Sequence, residues 1–243
     1  YLIGESHYNL KDYARALAQY ESFLRAHKGH RLEPEVKYSI GWTFLNEGNY
    51  LKAASIFDEL SGGSDDVAHA ALFRKGVALK MAGKRSEAER AFNDVPIRRK
   101  TGPFADNALH ELGVLLYENK QFKKAQDAFA RVVKEYPESE VLAEAYRMLG
   151  ETFLNESDYE QARRAFSAAG AVKDVPRDVL ADASFQEAWS LNKLKRFKEA
   201  AAHFSQFLSM YPKHRRADEA YFWLAESYYH ADEYKQALRN YKE

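Results

Sequence analysis

Apolar positions in this chain return at a spacing of four, in columns that keep their register from one end to the other. Ile3, Ile40, Leu112, Leu149 and Leu224 stand four residues before His7, Phe44, Leu116, Phe153 and Tyr228. Further along each stretch, Ala16, Ala53, Ala88, Ala125, Ala162, Ala200 and Ala237 stand four residues before Tyr20, Phe57, Phe92, Phe129, Phe166, Phe204 and Tyr241. A spacing of four puts both members of a pair on one face of an α-helix, so the pattern predicts paired amphipathic helices. Polar or glycine-bearing triplets fall between the two helices of a pair, as in Glu47-Gly48-Asn49, Ala82-Gly83-Lys84, Glu156-Ser157-Asp158 and Ala231-Asp232-Glu233. Such residues end one helix and cap the next.

The columns mark an internal repeat. Small residues at Gly4, Gly41, Gly76, Gly113, Gly150, Ala188 and Ala225 serve as anchors, 35 to 38 residues apart, with alanine always twelve residues later and an aromatic always sixteen later. At the chain's aromatic frequency of 14%, seven aromatics in seven trials would arise by chance on the order of once in a million. Nine residues after the anchor a second aromatic column, broken only by Arg85, marks the start of each second helix. A small anchor facing an alanine lets the two backbones approach, and the large aromatic is expected to fill the gap toward the next repeat. Ser61-Gly62-Gly63-Ser64-Asp65, the stretch from Val95-Pro96 to Gly102-Pro103, and Gly170 before Val175-Pro176 predict early ends to three second helices.

This arrangement resembles the tetratricopeptide repeat, and the resemblance spans the whole chain. It implies an all-α fold: a right-handed superhelical solenoid of about seven helix-turn-helix repeats. The expectation is a single solenoid domain over residues 1–243, cut within the first helix of its first repeat at Tyr1 and within the second helix of its last at Glu243, as part of a longer protein. The long period, with Tyr136-Pro137 and Tyr211-Pro212 closing two repeats, is similar to the repeats of bacterial envelope proteins such as the outer-membrane barrel-assembly lipoprotein and the Tol-Pal periplasmic coordinator. A periplasmic or envelope location is expected on that ground, with the cytoplasm as the alternative.

Charge and composition narrow the chemistry. Lys and Arg total 36, as do Asp and Glu, so sequence-independent binding to nucleic acid is disfavoured. No cysteine is present, which excludes disulfides, thiolate metal sites and a cysteine nucleophile. No apolar run is long enough to span a bilayer, so direct membrane insertion is not expected. The eight histidines are scattered; His27 and His30 come nearest to a metal spacing but read as solvated helix-end residues. No nucleophile elbow, phosphate loop or dinucleotide fingerprint occurs, so neither an enzyme nor a cofactor or metal site is expected.

The resemblance directs attention to the inner groove, which in tetratricopeptide proteins is built from first helices and holds an extended or helical peptide. At 100° per residue, positions three before, one after and four after the anchor face away from the second helix. They supply the candidate partner-binding residues Tyr38, Trp42, Phe73, Tyr117, Arg147, Glu151, Phe185, Trp189, Phe222, Glu226 and Tyr229. Trp42 and Trp189 replace the asparagine frequent in the family and are expected to reach into the groove, paired with Tyr38 and Phe185. Glu144, Glu151, Glu219 and Glu226 suit a basic, apolar-rich segment at the C-terminal half. Tyr1 and Glu5 stand where a receptor for chaperone tails would need Lys and Asn, which disfavours that role. The reading is a non-catalytic scaffold or adaptor binding a protein segment. Its rivals are self-association through the exposed ends and glycan binding by the groove aromatics.

Overall fold

The computed structural model describes residues 1–242; Glu243, expected inside the last helix, lies outside them. Helices are the only regular structure among the described residues, and they come in seven pairs. The pairs are α1 (Leu2–Asn9) with α2 (Tyr13–Ala26), α3 (Glu33–Asn46) with α4 (Tyr50–Leu60), and α5 (Asp66–Met81) with α6 (Arg85–Arg98). Then follow α7 (Ala105–Glu118) with α8 (Phe122–Glu135), α9 (Leu142–Asn155) with α10 (Tyr159–Ala171), α11 (Arg177–Lys193) with α12 (Phe197–Met210), and α13 (Ala217–His230) with α14 (Tyr234–Asn240). The chain is an all-α helical repeat protein. It divides into two compact units, Tyr1–Leu115 and Leu116–Glu243, each described by itself below.

One turn geometry links the helices of every pair. The seventh residue after the anchor has positive φ in all seven repeats: Lys11, Gly48, Gly83, Lys120, Ser157, Lys195 and Asp232, at 58° to 80°. The next residue's N–H then reaches back to the carbonyl three after the anchor, as from Asp12 to His7 at 2.9 Å, Asn49 to Phe44 at 2.8 Å and Arg196 to Leu191 at 2.9 Å. A left-handed residue closed by such a bond is a Schellman-type helix stop. It fixes the nine-residue offset from anchor to second helix whether or not the left-handed residue is glycine.

The anchors explain the paired columns. A Cβ placed on Gly4 would lie 2.5 Å from the Tyr20 ring, on Gly41 2.7 Å from Phe57, on Gly76 2.6 Å from Phe92 and on Gly150 2.6 Å from Phe166. Each aromatic therefore lies over the anchor of its own repeat, in the space the missing methyl leaves. It also reaches the following repeat, as expected: Tyr20 clusters with Val36 and Ile40 of α3, and Phe166 with Ala183 of α11. Tyr20, Phe57, Phe92 and Phe204 are fully buried. In the N-terminal unit Ala16, Tyr20, Val36 and Ile40 join in one core cluster. In the C-terminal unit one cluster gathers Ala162, Phe166, Ala169 and Ala183, and another Phe185, Leu191, Phe204, Phe207 and Leu224.

Two predicted helix ends are corrected. Helix α6 runs through Pro96 to Arg98, and α10 runs past Gly170 to Ala171. Pro96 has no N–H to give the Phe92 carbonyl, so the ladder loses one bond there without the helix ending. The neighbouring Val95 carbonyl gains His69 Nε2, 3.0 Å away, as a further partner. Among the described residues no helix is long and apolar enough to cross a membrane, and no histidine and carboxylate group is arranged to hold a metal ion.

Candidate functional site

Within each unit, consecutive first helices meet through a fixed pair of positions. The residue one after an anchor contacts the residue two before the next. In the N-terminal unit Ser39 Oγ donates to Glu5 at 2.8 Å, and the Arg74 guanidinium lies 4.3 Å from the Trp42 ring centre. In the C-terminal unit Gln186 Nε2 donates to Glu151 at 2.9 Å, and Trp189 meets Trp223 edge to face at 6.4 Å. A second rung joins the asparagine five after one anchor to the tyrosine four after the preceding one: Asn46 to Tyr8 at 2.9 Å and Asn155 to Tyr117 at 3.0 Å.

The N-terminal unit carries two adjoining cavities on this face. One, of about 280 Å³, is lined by Glu5, Tyr8, Tyr20, Tyr38, Ser39 and Trp42. The other, of about 410 Å³, is lined by Tyr1, Glu35, Tyr38, Ser39, Asp66, Val67, Ala70, Pro103 and Phe104. Tyr38 and Ser39 belong to both, so the cavities form one run along α1, α3 and α5. Glu5 at the floor accepts from Tyr20 Oη at 2.6 Å as well as from Ser39. Burial first, then the hydrogen bond to Glu5, push the Tyr20 phenol far above its ordinary value, so it remains a donor. Tyr8 is raised chiefly by burial. Arg74 is held among the rings of Trp42, Phe73 and Phe104, its Nε buried with no hydrogen-bond partner.

Several charged side chains on the first helices of the C-terminal unit are paired within it. Glu144 takes Arg147 through two oxygens, at 2.8 and 2.5 Å, and Glu151 lies 3.7 Å from the same guanidinium. These contacts, led by the Glu144 hydrogen bond, raise the Arg147 pKa further. Glu226 accepts from Tyr241 Oη and sits 3.8 Å from His230. The Tyr241 phenol is pushed up to about 12, first by burial and then by Glu226. Lys193 lies over both Trp189 and Trp223, at 4.8 and 5.5 Å.

The predicted site residues thus separate into four sets. Tyr38 and Trp42 line the N-terminal cavities together. Phe73 and Phe185 are corrected from groove residues to core residues: Phe73 is 6% exposed and stacks on Phe104, and Phe185 is fully buried against Phe204 and Phe207. In these two repeats the ring three before the anchor, about 60° from it around the helix, packs against the second-helix aromatic of its own repeat, whereas Tyr38 and Phe222 at the same position keep an open side. Tyr117, Arg147, Glu151, Trp189 and Glu226 are engaged by neighbours within their own unit, while Phe222 and Tyr229 stand about half exposed. The carboxylates expected to draw a base to the C-terminal half are already engaged: Glu144 and Glu151 by Arg147, Glu219 by Arg216, and Glu226 by Tyr241 and His230. Arg74, Ser39, Gln186 and Trp223 were missed, although the repeat register, two before each anchor, marks them.

The helix-pair geometry is shared with solved structures. The C-terminal part of a TPR repeat-containing protein from Cytophaga hutchinsonii matches 99% of this chain and 92% of its own length, with a TM-score of 0.74 and 14% identity. A tetratricopeptide repeat protein from Parabacteroides merdae covers 98% and 88% of the two chains at a TM-score of 0.59 and 15% identity. MamA from Desulfovibrio magneticus RS-1 covers 75% and 97% at a TM-score of 0.58 and 21% identity. At these identities the likeness is one of fold. None of the curated proteins matches this chain in sequence. A tetratricopeptide repeat family profile matches residues 1–67 and 185–243, more than half of the chain, and a second matches 107–139. With its paired helices, its ring-on-glycine contacts and these matches, the chain belongs to the tetratricopeptide repeat family and is built as a protein-interaction scaffold.

Proposed function

We propose that this chain is a non-catalytic adaptor that binds a segment of a partner protein along the first helices of its N-terminal unit. The observation that carries the reading is the pair of adjoining cavities, about 280 and 410 Å³, that share Tyr38 and Ser39 and carry the rings of Tyr1, Tyr8, Tyr20, Trp42 and Phe104 in their walls. Such surfaces gain most of their binding energy from a few rigid aromatic anchors, here Tyr38 and Trp42. The test is selection from a phage-displayed random peptide library on the purified protein. Enriched peptides are expected to shift amide resonances of residues 35–42 and 66–70 and to bind Trp42→Ala at least about tenfold more weakly at unchanged helicity. Peptides that bind Trp42→Ala as well as wild type, or no enrichment at all, would overturn it.

A second reading, self-association, is favoured by the apolar side chains exposed on α13, on α14 and just after it: Phe222, Tyr229, Tyr234, Leu238 and Tyr241. A mass that rises with concentration, and falls back in Leu238→Glu, would support it; a monomer at high concentration would remove it. A cell-envelope location is also proposed, on the long repeat period alone, and fractionation of the native protein tests it.

A further inference from the structure

Among the described residues of the N-terminal unit, one carboxylate has a buried oxygen that no donor holds. Glu35 lies in the first turn of α3, and its Oε2 is buried with no hydrogen-bond partner. Two residues earlier Glu33 is fully engaged, with Lys37 Nζ at 2.7 Å and the Gly29 N–H at 2.9 Å. A carboxylate oxygen withdrawn from water without a donor is costly, and the cost is recovered when a donor enters. The space beside Glu35 is the larger cavity, where the rings of Tyr1, Tyr38 and Phe104 meet the aliphatic walls of Val67, Ala70 and Pro103. Asp66, the other carboxylate in that wall, is paired with Arg99. Phe104 holds φ at 66°, a conformation uncommon for a bulky residue, while its ring stacks 5.1 Å from Phe73 and takes Arg74 on a face.

Aromatic faces around a single unpaired carboxylate suit a cation carried on an apolar stem, because the rings attract the charge and the walls cover the methylenes. Resting on the adaptor reading above, we propose that this cavity receives one lysine or arginine side chain of the partner segment, with Glu35 accepting its N–H. The flanking residue that enters the smaller cavity is apolar: that cavity is walled by the rings of Tyr8, Tyr20, Tyr38 and Trp42, and its one carboxylate, Glu5, already accepts from Tyr20 and Ser39. The partner therefore carries a single base beside an apolar residue, not a basic run.

The test runs the random-peptide selection in parallel on wild-type protein and Glu35→Gln. Wild type is expected to enrich peptides with one Lys or Arg next to an apolar residue. Glu35→Gln is expected to lose that preference, to bind the selected peptide at least about tenfold more weakly, and to melt no lower than wild type, because an uncompensated charge has been removed. Replacing the selected base by glutamine, or an arginine by citrulline, is expected to weaken binding to wild type and leave binding to Glu35→Gln unchanged. That peptide substitution also tests the idea without altering the protein. Selected peptides that lack a basic position, or that bind both proteins equally while still requiring Trp42, would overturn the assignment of Glu35 and leave the adaptor reading standing. No peptide binding at all would overturn both.

Discussion

The two units of this protein use the same helix pair and the same contact register, yet they leave their first-helix faces in opposite states. In the N-terminal unit the contact between repeats is Trp42 against Arg74, a ring and a cation that together leave the guanidinium without an anion, and Glu35 nearby has no cation. In the C-terminal unit the equivalent register holds Trp189 against Trp223, and Arg147 closes on Glu144 and Glu151. Its charge network extends along α10 to α12, where Glu160 takes Arg163 at 2.9 Å, Arg164 at 3.1 Å and Arg196 at 3.5 Å. Two cavities of that unit, about 340 Å³ beside Arg177, Tyr211 and Lys213 and about 320 Å³ beside Gly170, Glu187 and His203, lie between the first helix α11 and the second helices and loop next to it. The difference teaches that in a repeat fold the backbone sets where a face is, and a few side chains at fixed register decide whether it is satisfied internally or left to a partner.

The largest expected effect concerns what the units share. Gly41→Ala in the N-terminal unit and Gly150→Ala in the C-terminal unit each force a methyl against a buried ring, and each is expected to cost about 1–3 kcal/mol, read as a fall in melting temperature. A harmless substitution in either unit would show that its helix pair is looser than the ring contact implies. Next comes what they do not share. Arg147→Met should lose about 1–2 kcal/mol in denaturant titration, because Glu144 and Glu151 are left facing each other. Arg74→Met, which strands no carboxylate, should lose less, about 0.5–1 kcal/mol from its ring contacts. Equal losses would end the contrast between a sealed and an open face.

A smaller effect tests the turns. Lys120→Gly and Lys195→Gly should each gain about 0.5–1 kcal/mol in thermal melts, since an L-residue held left-handed costs more than the flexibility that glycine adds to the unfolded chain. The smallest effect is one of pH. Hydrogen bonding from Arg163, and then from Arg164, holds the Glu160 carboxyl at about 2, against an ordinary value of 4.5. A carboxyl depressed in the folded state contributes fully above its unfolded pKa, and the contribution fades as pH falls from 4.5 toward 2. Being largely solvent-screened, it is worth a few tenths of a kcal/mol, so Glu160→Gln should slightly flatten the acid limb of the stability curve over that interval.

The fold was legible because its determinants are periodic: a small anchor, an alanine twelve later and an aromatic sixteen later need no knowledge of tertiary contacts. The uniform turn was only half legible, since Gly48 and Gly83 announce a left-handed residue whereas Lys11, Lys120 and Lys195 do not. Of the site, Tyr38 and Trp42 followed from the helical register. Phe73 and Phe185 did not, because a position 60° from the anchor is exposed or buried according to how far the second-helix ring reaches.

The helix pairs, their register and the small residue under each ring were written in the sequence alone, because these depend on residue size at fixed intervals along one chain. Only the tertiary structure decided which charges would be met. Whether Glu35 and Arg74 stand alone while Arg147 is clasped depends on residues brought alongside from elsewhere in the fold, and no local periodicity encodes that balance of desolvation and pairing.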